Sequence, residues 1–203
     1  MRKGIMIGSD RKPRTIEEII TMVQSAENAG IESAWMANIF SFDAIMTMTL
    51  AARATKNIKV GTAVTPTYPR HPGAMAQQAV TAAAASGNRF ILGIGLSHKR
   101  VIEGVYGMSY DKPAKHMREY LDILLPLMAQ QAINHEGDLY TTRGIQLAAP
   151  GTEHIPVVIA TLSPMILKLA CDVAVVTNTC IFKQKTAYEL LTCDWSSDVC
   201  SSD

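Results

Sequence analysis

Long apolar runs are missing from this chain. No stretch approaches the ~18 consecutive apolar residues of a membrane span, and Met1-Arg-Lys leads directly into a short strand instead of a signal region. The expectation is a soluble, cytoplasmic protein with no membrane partner. Charge of one sign is missing too. The 19 basic and 18 acidic residues leave a net charge of +1 with no basic run, which argues against a nucleic-acid partner. Cysteine is sparse, four in all, and no pair has metal-ligand spacing. That fits a reduced protein with incidental thiols and no metal site. No Ser/Gly/Pro-rich linker divides the chain, so one core is expected.

The last stretch stands apart. Phe182-Lys-Gln-Lys-Thr-Ala-Tyr-Glu189 and Asp194-Trp-Ser-Ser-Asp-Val-Cys-Ser-Ser-Asp203 can both be encoded by stretches of a standard short-read sequencing adapter, in the right order and frame. Leu190 to Cys193 falls where a variable index would sit. Residues 182–203 are therefore read as a non-native, adapter-derived tail and set aside from the fold, leaving 1–181 as the protein proper. Without that tail the basic count drops by two (Lys183, Lys185) and the acidic count by four (Glu189, Asp194, Asp198, Asp203), so the net charge becomes +3. Cys171 and Cys180 are then the remaining cysteines.

Strands alternate with helices along 1–181. Lys3–Gly8 reads as a strand, and Thr15 with Glu18 makes a capping box that opens a helix carrying Ile16, Ile19, Ile20, Val23 and Ala26 on one face. Gly30 stops it. Ser33–Ala37, Ile58–Ala63 and Arg89–Ile94 read as the next strands. Helices follow from Asp43 to Ala52, from about Pro72 to Ala85, and over Met117, Leu121, Leu124 and Met128. Ile133 to Thr142 looks like a surface hairpin. Pro156–Ala160 is a fifth strand, Met165–Ala170 a short helix, and Asp172–Val176 a sixth strand. Repeated βα units require a mostly parallel sheet with right-handed crossovers. Pattern alone allows either a barrel or a doubly wound sheet.

Two segments point further: Val60-Gly-Thr-Ala-Val-Thr-Pro-Thr-Tyr-Pro-Arg-His-Pro72 and Gly87-Asn-Arg-Phe-Ile-Leu-Gly-Ile-Gly-Leu-Ser-His98. Each is a short apolar strand that stops in small and polar residues, as a parallel sheet does where it presents a site at its carboxyl ends. Gly93-Ile-Gly95 lacks the third glycine of a dinucleotide fingerprint. Together the segments resemble the luciferase-like monooxygenase superfamily, over residues 1 to about 180, and its coenzyme F-420-dependent oxidoreductase branch in particular. The resemblance implies a TIM-type (β/α)₈ barrel. Such a barrel typically needs ~250 residues, so this chain is expected to stop after about strand six, with two unpaired edges and uncertain activity of its own.

The resemblance also implies a chemistry: hydride transfer between coenzyme F-420, a deazaflavin, and a small organic substrate. The alternatives are an FMN-dependent monooxygenase or a non-catalytic binding protein; a homodimer is expected of the full-length parent. In the family a non-prolyl cis peptide at the end of strand three lies against the cofactor ring, which here is Ala63–Val64; from the residues alone a trans bond is the ordinary reading. Ser97 and His98 fall beside the reactive edge of the ring. His98 is the candidate catalytic residue, either moving a proton near neutral pH or only hydrogen-bonding the cofactor. Asn38-Ile39 stands where several deazaflavin dehydrogenases carry Asp-His. Asn38 can bond the ring edge or serve as a turn residue, whereas Ile39 can move no proton, which suits an apolar, conjugated substrate. Ala160, Thr161 and Ser163 match the segment that approaches the phosphate-bearing tail, where a helix N-terminus suits an anion. Thr177 and Asn178 would lie near the same phosphate. Arg70 and His71 are expected to be solvent-facing capping residues before Pro72.

Overall fold

The structure is a computed structural model that describes residues 3–8, 12–160, 163, 165, 166, 168, 169 and 180–182. Its elements run β1 (Gly4–Ile7), α1 (Ile16–Asn28), β2 (Ser33–Met36), α2 (Ala44–Arg53), β3 (Lys59–Thr62), β4 (Thr65–Pro66), α3 (Pro72–Ser86), β5 (Phe90–Gly95), α4 (Lys99–Gly104), α5 (Pro113–Met128), β6 (Ile133–Glu136), β7 (Thr141–Ile145), β8 (Val157–Ala160) and β9 (Cys180–Phe182). Local chemistry explains several of these limits. The Thr15 hydroxyl accepts from the Glu18 N–H while the Glu18 carboxylate accepts from the Thr15 N–H, a complete capping box at the start of α1. Gly87, in the left-handed region at φ +63°, ends α3.

The strands form one parallel sheet in the order β1-β2-β3-β5-β8-β9, with β4 also pairing to β5. The antiparallel hairpin β6–β7 stands outside it. Alternation along each strand separates two faces. Ile7, Ala34, Met36, Val60, Phe90, Leu92, Ile94, Val157 and Ile159 join the main core with the helices. Trp35, Ile91 and Val158, with Met6 and Ala63 against them, pack on the opposite face. That second face has the register of a barrel interior: Met6 pairs with Trp35, Trp35 with Gly61, and Gly61 with Ile91. A Cβ on Gly61 would sit 2.7 Å from the Trp35 ring, so the glycine is what lets the indole lie across β3. Helices α1, α2, α3 and α5 pack against one another in chain order on the outer face. This is the parallel βα architecture of the expected barrel.

One expectation changes. Arg70 is not solvent-facing. Its guanidinium pairs with Asp43, and only 18% of its side chain is exposed, because the pair ties the segment before α3 to the start of α2. The described sixth parallel strand is β9 at Cys180–Phe182, beside β8. The expected strand at Asp172–Val176, like Thr177 and Asn178, lies outside the described residues. β9 also takes in Phe182, the first residue assigned to the tail.

Candidate active site

The carboxyl ends of the strands open into a cleft of about 590 Å³. It is built around an interruption in the sheet. β3 pairs with β5 at Val60–Phe90 and Gly61–Ile91 and then leaves it; β4 rejoins at Thr65–Ile94 and Pro66–Gly95. Between them the chain bulges at Ala63–Val64, whose peptide bond is cis, as the resemblance implies. The Thr62 hydroxyl fills the gap in the ladder by bonding both the N–H and the carbonyl of Gly93. Ala63 keeps its own bond to β2, donating to the Met36 carbonyl at 2.9 Å.

This bulge explains the Gly93-x-Gly95 pair. A Cβ on Gly93 would fall 1.7 Å from the Thr62 carbonyl oxygen, and one on Gly95 would lie 2.8 Å from a Val64 methyl and 3.5 Å from the Ala160 Cβ. No larger residue fits at either place. Gly93 is there for close backbone approach and Gly95 to make room for the Val64 side chain, and the cleft floor over Ala63, Val64, Gly95 and Ala160 carries no bulky side chain.

Every described residue expected at a site lines this one cleft: Asn38, Ala63, Val64, Ser97, His98, Ala160 and Ser163. Thr161 lies outside the described residues. His98 is the N-cap of α4, makes no side-chain cap bond, and is exposed at the mouth. Ser97 before it sits in the left-handed region at φ +62°. Asn38 is partly committed elsewhere, because its Oδ1 accepts from the Ala44 N–H at 2.9 Å at the start of α2. Its amide N–H groups are what it can offer a ligand. Asp43, the N-cap of α2, accepts from the Met46 N–H and pairs with Arg70, fixing the loop that carries Asn38.

The mouth itself is apolar. Ile39 and Phe40, 59% and 66% exposed, stand on one side and Val101 and Tyr106 on the other. The Phe40 and Tyr106 ring centroids lie 6.1 Å apart. Tyr110 lines the wall, its hydroxyl donating to the Ser97 carbonyl at 3.2 Å. Neither Tyr106 nor Tyr110 was singled out from the sequence. Both lie on the segment after β5, where no periodicity marks a position as facing the cleft. Among the described residues no group of His, Cys, Asp and Glu is placed to hold a metal ion, and no helix is long and apolar enough to cross a membrane.

Comparison with known proteins shows what the chain is similar to. The chain is 31% identical over 174 residues to a 5,10-methylenetetrahydromethanopterin reductase of Archaeoglobus fulgidus, covering 85% of this chain and 51% of the other. It is 29% identical over 188 residues to a putative coenzyme F420-dependent oxidoreductase of Mycobacterium tuberculosis, covering 85% and 53%. The chain thus spans about half the length of the curated relatives it matches. Among solved structures, the oxygenating constituent of 3,6-diketocamphane monooxygenase from Pseudomonas putida, in complex with FMN, superposes with a TM-score of 0.71 at 20% identity. The match covers 89% of this chain and 57% of that one. Residues 1–191 match the luciferase-like monooxygenase family, and the chain belongs to that family.

Proposed function

We propose that the protein is an oxidoreductase that uses coenzyme F-420 to transfer a hydride to or from a small, apolar organic molecule. One observation carries this reading. The described candidate residues converge on a single cleft whose floor is kept free of bulk, since a Cβ at Gly95 would collide with Val64. A flat tricyclic ring suits such a floor, and the likeness to a putative F420-dependent relative supports the deazaflavin, with FMN as the alternative.

Ala63 and Val64 would support one face of the ring, with Asn38 donating from its amide and Ala160, Thr161 and Ser163 towards the phosphate-bearing tail. A bound deazaflavin supplies the hydride chemistry. The chain supplies the rest. Phe40, Ile39 and Tyr106 offer an apolar substrate a matching surface at the mouth, and the His98 imidazole gives or takes the accompanying proton. Ile39 beside Asn38 leaves the second wall without an acid or base, which favours a substrate needing only one proton transfer. The exposed Met46 and Leu50 on α2 suit a contact between two copies of the parent protein.

Fluorescence titration with F-420 and, in parallel, FMN tests the reading. Saturable F-420 binding that an Asn38 variant weakens supports it. Tight binding of FMN with none of F-420 replaces it by flavin chemistry. The reading of 182–203 as adapter-derived is a proposal of the same kind, tested by resequencing the reading frame beyond residue 181.

A further inference from the structure

The chain has six tyrosines. Four of them form a cluster with His116 of α5, which lies outside the cleft just described, and one of the four, Tyr110, also lines the cleft wall. Tyr68, Tyr120 and Tyr140 face the imidazole directly, and Tyr110 is reached through Tyr68. His116 is 5% exposed. Its Nε2 lies 2.9 Å from the Thr67 hydroxyl and its Nδ1 3.4 Å from the Tyr140 hydroxyl. The ring lies flat on Tyr68, with centroids 3.9 Å apart and 6° between the planes. Tyr68 stacks in turn on Tyr110 at 5.1 Å. The Tyr110 hydroxyl then reaches the Ser97 carbonyl.

These contacts lead from one buried imidazole to both walls of the cleft. Thr67 directly follows β4, the strand that carries the chain back from the bulge, and its N–H donates to the Gly95 carbonyl at 3.0 Å. Ser97 is the residue before His98. At φ +62° it occupies a conformation that side-chain-bearing residues adopt rarely and keep only where neighbours impose it. The Tyr110 bond to its carbonyl is such a restraint. Tyr110 is itself held by stacking on a ring that is clamped between it and His116. A neutral imidazole suits the post, because it offers one donor and one acceptor to two hydroxyl groups.

We propose that His116 is a positioning residue, which through Thr67 and the Tyr68–Tyr110 stack fixes the Ser97 turn and so the place of His98 at the mouth of the cleft. The geometric part stands without any cofactor. Only its consequence for binding rests on the functional reading above.

Three variants separate the links. Tyr110→Phe removes only the hydroxyl on Ser97, Thr67→Val only the hydroxyl on His116, and His116→Phe keeps a flat ring without hydrogen bonds. The first readout is the backbone amide NMR resonances of Ser97 and His98 in the ligand-free chain. All three variants should displace them, although His116 and Thr67 make no hydrogen bond to either residue. The second is F-420 affinity. Tyr110→Phe should weaken it roughly five-fold, as the loss of one hydrogen bond would, and adding His116→Phe should weaken it little further, since both act along one path. Unmoved Ser97 and His98 resonances in folded Thr67→Val and His116→Phe protein overturn the proposal, as do fully additive effects of the pair. If His116→Phe fails to fold, Thr67→Val and Tyr110→Phe decide it. Displaced resonances in a chain that binds no F-420 uphold the positioning role and overturn the functional reading instead.

Discussion

The Thr62 hydroxyl bonds both backbone polar groups of Gly93, accepting from its N–H at 2.9 Å and donating to its carbonyl at 2.7 Å. One side chain thus replaces the ladder bonds that β3 gives up when it turns out of the sheet. Both groups are buried, so neither has water as an alternative partner. The cleft floor depends on this substitution, because it lets the Ala63–Val64 bulge lean over β5 without leaving orphaned backbone beneath it.

Changing either residue should therefore cost far more than its size suggests. Thr62→Val keeps the shape but strands the Gly93 N–H and carbonyl, for a loss of roughly 2–3 kcal/mol. Gly93→Ala places a methyl against the Thr62 carbonyl and should cost about 3 kcal/mol or more, since backbone on both sides must move. Urea unfolding midpoints check both. A Gly93→Ala protein as stable as the parent would show that the bulge does not press on β5.

A second tertiary clamp sits at the opposite end of the strands. The Glu27 carboxylate accepts from the N–H groups of Lys56, Asn57 and Ile58, which tie the end of α1 to the entry of β3. Beside it Arg89 donates to the carbonyls of Ile58, Ala52 and Thr55. Arg89→Lys retains the charge but not the fork and should lose about 2 kcal/mol. Glu27→Gln should lose roughly 1–2 kcal/mol, since the charge-assisted bonds become neutral ones. Thermal denaturation of the two variants is the measurement, and a change within about 0.5 kcal/mol in either would mark its bonds as incidental.

Acid should destabilise the protein in two separable windows. Burial pushes His116 from its ordinary 6.5 down to about 4, only partly opposed by the nearby Glu119 carboxylate; the tyrosine rings facing it carry no charge at these pH values. The unfolded chain thus takes up a proton near 6.5 that the folded chain refuses until about 4. Stability is complete above 6.5, falls as pH drops towards 4, and loses on the order of 3 kcal/mol in all. Glu27 is held below the usual carboxylate range by the Asn57 and Ile58 N–H groups. For Glu119, burial pushes upward, but the N–H groups of Leu139, Tyr140 and Asp138 outweigh it. Their contributions are present above the usual carboxylate value and are lost as pH falls through the lower folded ones. Melting curves from pH 7 to pH 3 should show His116→Phe flattening the upper window and leaving the lower one intact. An unchanged upper window would assign that acid sensitivity to another group.

What the sequence disclosed follows the range of the interactions. The Thr15–Glu18 box, the Gly30 stop and the strands read at Ser33–Ala37 and Arg89–Ile94 involve neighbours a few residues apart, and their positions agree with the structure to within one or two residues. The cleft residues were legible through the family resemblance, which two strands ending in small and polar side chains carried. Thr62 was not, because an ordinary strand threonine becomes a clamp only when Gly93 arrives from 31 residues away. Glu27 and Arg89 meet their partners across similar separations. His116 lies beside Met117 on the buried stripe of α5, and nothing local distinguishes it from a helix-face histidine. Gly93 and Gly95 were visible as a pair, but their cause is a neighbouring strand.

His98 gives the most direct test of chemistry. It makes no side-chain bond to cap α4 and is exposed, so His98→Ala should leave stability within about 0.5 kcal/mol. The two roles open to the imidazole, proton transfer and simple hydrogen bonding, separate with a second variant. His98→Gln can still donate a hydrogen bond but cannot shuttle a proton near neutral pH. If His98 moves the proton, both variants should lower turnover of reduced F-420 with an apolar conjugated ketone by roughly 10²-fold or more, while coenzyme affinity stays within about two-fold. If it only holds the ring, His98→Gln should keep most of the turnover, and His98→Ala should lose affinity instead. Turnover unchanged in both variants would remove His98 from the reaction and leave the proton to solvent at the open mouth between Phe40 and Tyr106.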